Sequence, residues 1–213
     1  ETVTTLNFTV MRTLFTTLCL VLTAFGTASA QMLRIGVRGG VNIADTRFDQ
    51  VTLEGCRISR GQDSPGYQVA LVTRLTIPKF LQIAPELQFT SHDYSYRISG
   101  ERYGDVKISV KRLELPVIIG FNISAFRLFG GPVFRLAHSE QSNRRDLGFD
   151  VHYNDSDVAL MAGAGFDIGK FFIDARYVTY PRASYNLFTV DGSRRYVRMK
   201  RNWMWQFSAG LFF

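Results

Sequence analysis

Arginine and carboxylate side chains recur at alternate positions in several segments of the sequence, where they could form ion pairs or act as an acid and a base. In each segment, apolar residues at every second position alternate with a set that contains glycines and charged residues. The charged residues of this second set are Arg34, Arg38, Arg74, Glu86, Arg112, Glu114, Arg127, Arg135, Asp167, Asp174 and Arg176. Arginine dominates this set, and its planar guanidinium binds both oxygens of a carboxylate in confined sites. We therefore predict a structural network of internal ion pairs rather than a catalytic carboxylate cluster.

A second group with chemical potential is the tripeptide His138-Ser139-Glu140, which contains a base, a hydroxyl and an acid. A nucleophile and its base must lie within hydrogen-bond distance, whereas neighbours along a strand point to opposite faces. His92 and His152 have no matched partner in the sequence. We therefore predict no catalytic residues, and a lipid A deacylase-like barrel enzyme is the alternative.

Two further kinds of ligand are disfavoured by the sequence. The acidic segment around His152 (Asp150, Asp155 and Asp157) lacks the ordered spacing of known calcium loops, so no metal or other cofactor is predicted. The formal net charge of +7 is weak evidence for nucleic-acid binding, because no nucleic-acid fold accompanies it. We predict no nucleic-acid partner.

The elements that carry these side chains read as strands. Eight segments alternate apolar and polar residues with a period of two, at 33–43, 67–77, 80–90, 112–122, 126–137, 158–168, 171–180 and 203–213. The connections after the second, fourth and sixth segments are very short, whereas the others are long and polar. This asymmetry predicts an all-β fold, an eight-stranded antiparallel up-and-down transmembrane β-barrel with short periplasmic turns and long extracellular loops.

The contents of the two faces indicate which one meets lipid. Glycines share the polar face with the charges. Side chains just fill the interior of an eight-stranded barrel, so small residues are needed there to make room. We therefore place the charges inside and the apolar set against lipid. A soluble ligand-binding barrel and a narrow pore are alternatives. Pro85, Pro116 and Pro132 fall within strands, where we expect bulges or ladder ends.

Aromatic residues are concentrated at both ends of the predicted wall, as in interfacial girdles. The short-turn belt is Phe80, Phe121, Phe126, Phe171 and Phe213, and the long-loop belt is Tyr67, Tyr177, Tyr180 and Trp203. In the final segment, large apolar residues recur at every second position up to the aromatic Phe213. We predict that Trp205, Phe207, Leu211 and Phe213 form the signal read by the barrel assembly machinery.

The N-terminal region has the pattern of an export signal. Residues 11–30 combine a charged start, a short apolar run and a small-residue cleavage site, which predicts a signal peptide. Residues 1–10 fit no part of it and are interpreted as a misplaced start or an expression remnant. The barrel domain then occupies 31–213, with the Gram-negative outer membrane as its location. Cys56 is the one cysteine of that domain, so it has no internal disulfide partner.

Several segments resemble the PorT-like family of small outer-membrane β-barrels. They are "LQIAPELQF", "RLELPVIIGFN", "FGGPVF" and "GAGFDIGKFFIDARYVTY", followed by the terminal aromatic strand. The resemblance covers nearly the whole predicted mature chain and implies that the three strand prolines belong to the family pattern. It implies the fold and location strongly. It implies function weakly, since the founding member is linked to a secretion system that exports proteases.

These observations predict a non-enzymatic integral outer-membrane protein with a plugged polar interior. Its role would be structural, or associated with a secretion or envelope protein partner through the extracellular loops. Outer-membrane lipid surrounds such a barrel. Arg195 and Arg201 lie in a basic segment near its outer end, where lipopolysaccharide phosphates could pair with them.

Overall fold

The computed structural model describes residues 33–48, 51–53, 56–60, 65–77, 80–99, 104–142, 150–154, 158–180, 185–190 and 193–213. The predicted signal peptide and the ten residues before it lie outside these ranges. The described strands are β1 (Leu33–Phe48), β2 (Val51–Leu53), β3 (Cys56–Arg60), β4 (Gly66–Ile77), β5 (Leu81–Ser99), β6 (Gly104–Ile123), β7 (Phe126–Ser142), β8 (Asp150–Asn154), β9 (Val158–Ile168), β10 (Phe171–Thr179), β11 (Tyr185–Val190) and β12 (Ser193–Phe212). Among the described residues, none forms a helix long and apolar enough to cross a bilayer.

Eight of these strands close into a barrel. Their order is β1, β4, β5, β6, β7, β9, β10 and β12, each antiparallel to its neighbours, and β12 pairs back onto β1. The closing ladder runs from Gly36 opposite Phe212 to Phe48 opposite Met199. Closure satisfies the backbone groups that an open sheet edge would expose to lipid. The predicted eight-stranded antiparallel barrel is confirmed.

The connections at one end of the barrel are tight, as predicted. Ser124 and Ala125 join β6 to β7, and Gly169 and Lys170 join β9 to β10. Gly169 has a φ of 63° and Ser124 a φ of 58°, a left-handed conformation that glycine adopts without steric cost. These turns mark the periplasmic end.

The other end differs from the prediction because several strands continue into segments that we expected to be loops. β5 extends to Ser99, β6 starts at Gly104 and β7 reaches Ser142. The hairpin of β2 and β3 pairs with the end of β5, while β8 and β11 extend the sheet beside β12. The extensions of β5 and β6 still alternate, but with the opposite phase: Tyr94, Ile108 and Val110 are buried inside the wall, whereas Lys107 and Lys111 are exposed on its outer surface. The outward apolar row that signals a strand in lipid is therefore replaced there by outward polar residues.

The two faces of the wall have the reverse of the usual polarity of a water-soluble protein. Leu71 is 49% exposed on the outer face, whereas Arg38 on the inner face is 2% exposed. The other exposed apolar residues include Ile35, Val37, Val41, Ile43, Val69, Leu128, Leu160 and Phe207. A continuous apolar outer surface of this kind requires lipid as its solvent.

The three strand prolines do not produce the bulges that we expected. Pro85 lies opposite Val117, and Pro116 lies opposite Val133. The β4–β5 and β5–β6 registers continue in phase on both sides of these positions. A proline removes one N–H donor without adding a residue, so it weakens the ladder but leaves its phase unchanged. The register shift between β6 and β7 lies instead at Leu113 and Glu114.

The outer aromatic belt differs from the prediction at one position. Tyr177 packs against Trp203 and Trp205, with ring centroids 6.0 and 5.2 Å apart. Tyr180, however, accepts a hydrogen bond of 2.8 Å from the inward-facing Arg112. Successive residues of a strand alternate faces. Tyr180 is three positions after Tyr177, so it faces the interior whereas Tyr177 faces outward.

Candidate functional site: the polar interior of the barrel

Seven charged side chains inside the barrel form one continuous series of ion pairs, here named the interior ion-pair chain. Its members, in order of contact, are Arg38, Glu86, Arg176, Asp174, Arg127, Asp167 and Arg74. The N–O distances lie between 2.6 and 2.9 Å. Six of the eight barrel strands supply these residues, and every carboxylate in the series lies between two arginines.

Glu86 is the junction at the middle of the barrel. Arg176 donates to both of its oxygens, from Nη1 to Oε2 at 2.7 Å and from Nη2 to Oε1 at 2.9 Å. Arg38 donates to Oε2 at 2.9 Å. Glu86 is 3% exposed, and a buried carboxylate is stable only when its charge and lone pairs are satisfied in this way.

The series continues toward the periplasmic end through two aspartates. Asp174 receives Arg176 Nη2 at 2.7 Å and Arg127 Nη2 at 2.6 Å. Asp167 receives Arg127 Nε at 2.8 Å and Arg74 Nη1 at 2.7 Å. The side chain of Asp167 is 21% exposed, so this end of the series approaches the periplasmic mouth.

Neutral side chains connect the remaining two barrel strands to the series. Arg38 donates to Ser208 of β12 at 3.1 Å and to Gln88 at 2.7 Å. Gln88 and Thr90 each donate to Glu114 of β6 at 3.2 Å. With these contacts, side chains from all eight barrel strands meet in one hydrogen-bonded interior network.

Three arginines of the predicted network occupy other environments. Arg34 is exposed and lies over the ring of Phe212, with its Cζ 5.9 Å from the centroid. Arg112 is buried near the outer end and binds Tyr180. Arg135 is half-buried on β7, where it is the register partner of Glu114. Sequence parity therefore does not specify the partners of these residues.

The interior also contains an aromatic cluster that the sequence reasoning missed. Phe129, Phe172 and Phe212 point inward and are buried. Phe172 stacks on Phe212 with centroids 4.6 Å apart, and Arg74 lies over both rings at 5.2 and 4.4 Å. These cation–π contacts place apolar bulk against the arginines that line the periplasmic half.

A sequence signal for this cluster existed in the glycines. Phe172 lies opposite Gly210, and Phe129 lies opposite Gly163. A Cβ added at Gly163 would stand 2.6 Å from the Phe129 ring, and one added at Gly210 would collide with the Phe172 ring. Each glycine therefore provides the space for an inward aromatic ring on the neighbouring strand.

The other residues considered for chemistry are separated by the fold. His138 and Ser139 are successive residues of β7 opposite Arg112 and Lys111, so they alternate faces. Among the described residues, no group of three or more His, Cys, Asp or Glu side chains could hold a metal ion. The side chains of Glu140 and of the acidic segment around His152 lie outside the described set.

The basic segment predicted to meet lipopolysaccharide is described in its backbone only. Arg201 is the register partner of Arg47, and Arg195 is the register partner of Phe188. The β1–β12 register shifts by one residue between Arg201 and Met199. Arg195 and Arg201 therefore do not follow one uninterrupted alternation, because a bulge changes the phase of the residues beyond it. Their side chains lie outside the described set.

The residues of the predicted assembly signal lie on the outer face of β12 and just beyond it. Trp205 and Phe207 stack with centroids 6.2 Å apart. Leu211 is half-buried, and Phe213 is 73% exposed while its N–H bonds the carbonyl of Ile35 at 3.0 Å. The row is thus anchored by backbone pairing and presents its rings to the surroundings.

The closed wall, the apolar exterior and the charged interior together define an eight-stranded transmembrane barrel of the outer-membrane class. Residues 27–179 match the family described as outer membrane protein beta-barrel domain. This match covers more than half of the chain, which therefore belongs to that family. The protein is an integral component of the Gram-negative outer membrane.

Solved structures with a similar overall course of the chain are outer-membrane proteins of low identity. OprG from Pseudomonas aeruginosa is 14% identical with a TM-score of 0.49, and the match covers 84% of this chain and 95% of OprG. Ail of Yersinia pestis, in complex with the heparin analogue sucrose octasulfate, is 15% identical with a TM-score of 0.43, covering 85% and 99%. The protease OmpT from Escherichia coli is 10% identical with a TM-score of 0.39, covering 85% and 94%. No curated protein matches the sequence.

Proposed function

We propose that this protein is a non-enzymatic outer-membrane barrel whose interior is plugged and whose extracellular side engages an envelope or secretion partner. The observation that carries the proposal is the interior ion-pair chain, in which each carboxylate joins two arginines. In the part of the lumen that the structure describes, these carboxylates and arginines are paired with one another rather than arranged as a row of like charge that would attract permeating ions. Such an interior braces the wall rather than conducting solutes.

Conductance measurements test the plugged interior. The full chain inserted in a planar bilayer is expected to show no steady conductance. Replacing Glu86 and Arg176 together with alanine removes the central pair without changing the net charge, and intermittent channel openings are expected. A control with Val41→Ala and Leu71→Ala alters only the lipid-facing surface and is expected to stay closed. Steady conductance of the unmodified chain would favour the narrow-pore alternative.

The non-enzymatic part of the proposal is supported by the use of the interior carboxylates. The carboxylates of the interior ion-pair chain each accept hydrogen bonds from two arginines, and His138 alternates in direction with Ser139 on β7. Mass spectrometry of lipid A from cells with and without the protein separates this reading from a deacylase-like enzyme. An unchanged lipid A profile is expected, whereas loss of an acyl chain would establish the enzyme.

Lipopolysaccharide contact at the outer rim is a further part of the proposal. Arg47 and Arg201 are register partners on β1 and β12, so the proposed contact includes Arg47 as well as Arg201. The phosphates of lipopolysaccharide are anions that lie at the membrane surface, the level at which these two residues are expected. The sequence reasoning singled out Arg201 but not Arg47, because the pairing joins positions far apart in the chain.

The secretion-associated part rests on the resemblance to PorT-like proteins, which is narrower than the family membership. Strand extensions such as β8 and β11 continue the wall beyond the membrane band and provide a surface for a protein partner. Cross-linking in intact outer membranes, followed by identification of the attached proteins, tests this part. Recovery of the same secretion or envelope component in repeated experiments would support it, and recovery of abundant outer-membrane proteins alone would not.

A further inference from the structure

The outward apolar row of β6 ends at Leu113, and lysines follow it. Leu113 and its register partner Phe89 are half-buried on the outer face, whereas Lys111 and Lys107 are exposed on that face. A strand rises about 3.3 Å per residue and barrel strands tilt by about 35–45°, so Lys111 lies about 5 Å and Lys107 about 15 Å beyond Leu113 along the membrane normal. The outer edge of the hydrocarbon layer therefore lies between Leu113 and Lys111.

Lys111 belongs to one row of register partners that crosses four strands. The row runs from Tyr67 of β4 through Ser91 of β5 and Lys111 to Ser139 of β7. Residues directly opposite one another point to the same face of a sheet. Tyr67 is 54% exposed and its ring centroid is 6.3 Å from that of Phe89, as expected of an aromatic residue at the membrane interface. Lys111 thus lies between two serines at the level of the lipid headgroups.

The described side chains of this surface have a net positive charge. Asp93 is half-buried and is the register partner of Ser109, which lies between the two lysines on β6. Its carboxylate balances one of the two lysine charges, so one positive charge remains on the described part of the surface. The neighbours Ser91, Ser109 and Ser139 are small, so a bulky anionic group can approach the lysines closely.

The surroundings of Lys111 favour a lipid over a soluble anion. Leu113 and Phe89 lie directly below Lys111 on the same face, so a ligand with a phosphate next to acyl chains contacts the lysine and the apolar row together. The outer leaflet of a Gram-negative outer membrane supplies such a ligand in lipopolysaccharide. Lysine is a common phosphate ligand, and a serine hydroxyl donates a further hydrogen bond.

We propose that Lys111 and Ser139 bind a phosphate group of lipid A, the acylated part of lipopolysaccharide, with Lys107 as a second cation farther from the membrane. The inference rests on the lipopolysaccharide part of the proposed function for its ligand, but it assigns a separate site. In the closed strand order, β6 lies four strands away from β12. The site on β6 and the contact at Arg47 and Arg201 are therefore on opposite sides of the barrel and bind different lipid molecules.

The lipopolysaccharide that co-purifies with the full chain from outer membranes tests this proposal. Lys111→Gln and Ser139→Ala are each expected to lower its amount, whereas Lys111→Arg keeps the charge and is expected to retain it. Lys170→Gln is the matched control, because it removes the same charge from an exposed lysine at the periplasmic end, where the leaflet consists of phospholipid. Combining Lys111→Gln with Arg201→Ala is expected to multiply the two losses, since distant sites act independently.

Binding of purified lipid A to the full chain in detergent identifies the group that is recognised. Lys111→Gln is expected to weaken the binding of bisphosphorylated lipid A about fivefold and to leave the binding of dephosphorylated lipid A unchanged. Equal effects on the two lipids would show that the phosphate is not recognised. Inositol hexakisphosphate that binds as tightly as lipid A would assign the surface to a soluble anion instead.

The co-purification experiment separates this inference from the contact at Arg201. Loss of lipopolysaccharide in Arg201→Ala but not in Lys111→Gln would overturn the site on β6 alone, and equal amounts in Lys111→Gln and Lys170→Gln would do the same. Loss in Lys111→Gln alone would support the site on β6 and remove the contact at Arg201. Heat-dependent gel mobility shows whether each variant is folded. If Lys111→Gln does not fold, Ser139→Ala and Lys107→Gln test the same site.

Discussion

The guanidinium of Arg176 binds both carboxylate oxygens of Glu86 at 2.7 and 2.9 Å, across the lumen from β10 to β5. The two residues are 90 positions apart in the sequence. Both are buried, and Arg38 joins the same carboxylate from β1. This arrangement makes Glu86 the point at which three strands are held together by charge, and the first predictions concern it.

Glu86→Gln is expected to lower the free energy of unfolding by about 3–5 kcal/mol, because Arg38 would lose the one carboxylate that it binds in the interior ion-pair chain and Arg176 would keep only Asp174. The urea midpoint of the protein in lipid vesicles measures the change. Asp93→Asn on the same strand is the control, since Asp93 is half-buried and lies outside the interior ion-pair chain, and a change within about 0.5 kcal/mol is expected. Equal losses in the two variants would contradict the central role of Glu86.

Arg176→Lys keeps the charge but removes the planar pair of donors. Arg176 binds Glu86 and Asp174 at the same time, and a lysine ammonium cannot reproduce that geometry. We expect an unfolding free energy between those of the unmodified protein and of Glu86→Gln, measured in the same urea titration. A lysine variant as stable as the unmodified chain would show that charge alone is sufficient.

Gly210→Ala is expected to destabilise the barrel by about 1–3 kcal/mol through overpacking against Phe172. The added Cβ would also stand 2.6 Å from the carbonyl oxygen of Val37, which cannot move without disturbing the ladder. Gly39→Ala is the matched control, because its added Cβ would come no closer than 3.9 Å to another atom, the carbonyl oxygen of Gln68, and the same substitution there is expected to be neutral or stabilising by about 0.4–1 kcal/mol. A reversed order of the two stabilities would refute the steric account.

Phe213→Ala is expected to reduce the amount of folded protein in the outer membrane more than it reduces the stability of the protein that does fold. Phe171→Ala is the control, since Phe171 is also a strongly exposed aromatic at the periplasmic end. Pulse labelling followed by heat-dependent gel mobility measures assembly, and urea unfolding measures stability. If both variants assemble equally well, Phe213 is a girdle residue without a role as an assembly signal.

Arg201→Ala and Arg195→Ala, made singly and together, are expected to reduce the lipopolysaccharide that co-purifies with the protein. Because the register shifts between these positions, we expect the larger loss from Arg201, which lies opposite Arg47. The effect should weaken in high salt, as contacts between exposed charges are screened. Arg194→Ala is the control. Unchanged lipopolysaccharide in the double variant would remove this part of the proposal.

The sequence alone determined the barrel, its closure and the identity of its two faces. Alternation of apolar and polar residues is a local property with a period of two, so the outward position of Leu71 and the inward position of Arg38 follow from their neighbours. The turns at 124–125 and 169–170 follow from the short connections. The ends of β5 and β6 were missed because their alternation has the opposite phase, with Tyr94, Ile108 and Val110 inside the wall and Lys107 and Lys111 outside it, so they carry no outward apolar row.

Only the tertiary structure decided which charges meet. Arg38 and Glu86 are separated by 48 positions, and Arg74 and Asp167 by 93. Their approach depends on the stagger of strands around the closed barrel, to which every turn and register contributes. Parity assigned Arg34 to the same face, yet it lies exposed over Phe212. Local pattern thus fixes the direction of a side chain, while its partner depends on the geometry of the whole closed wall.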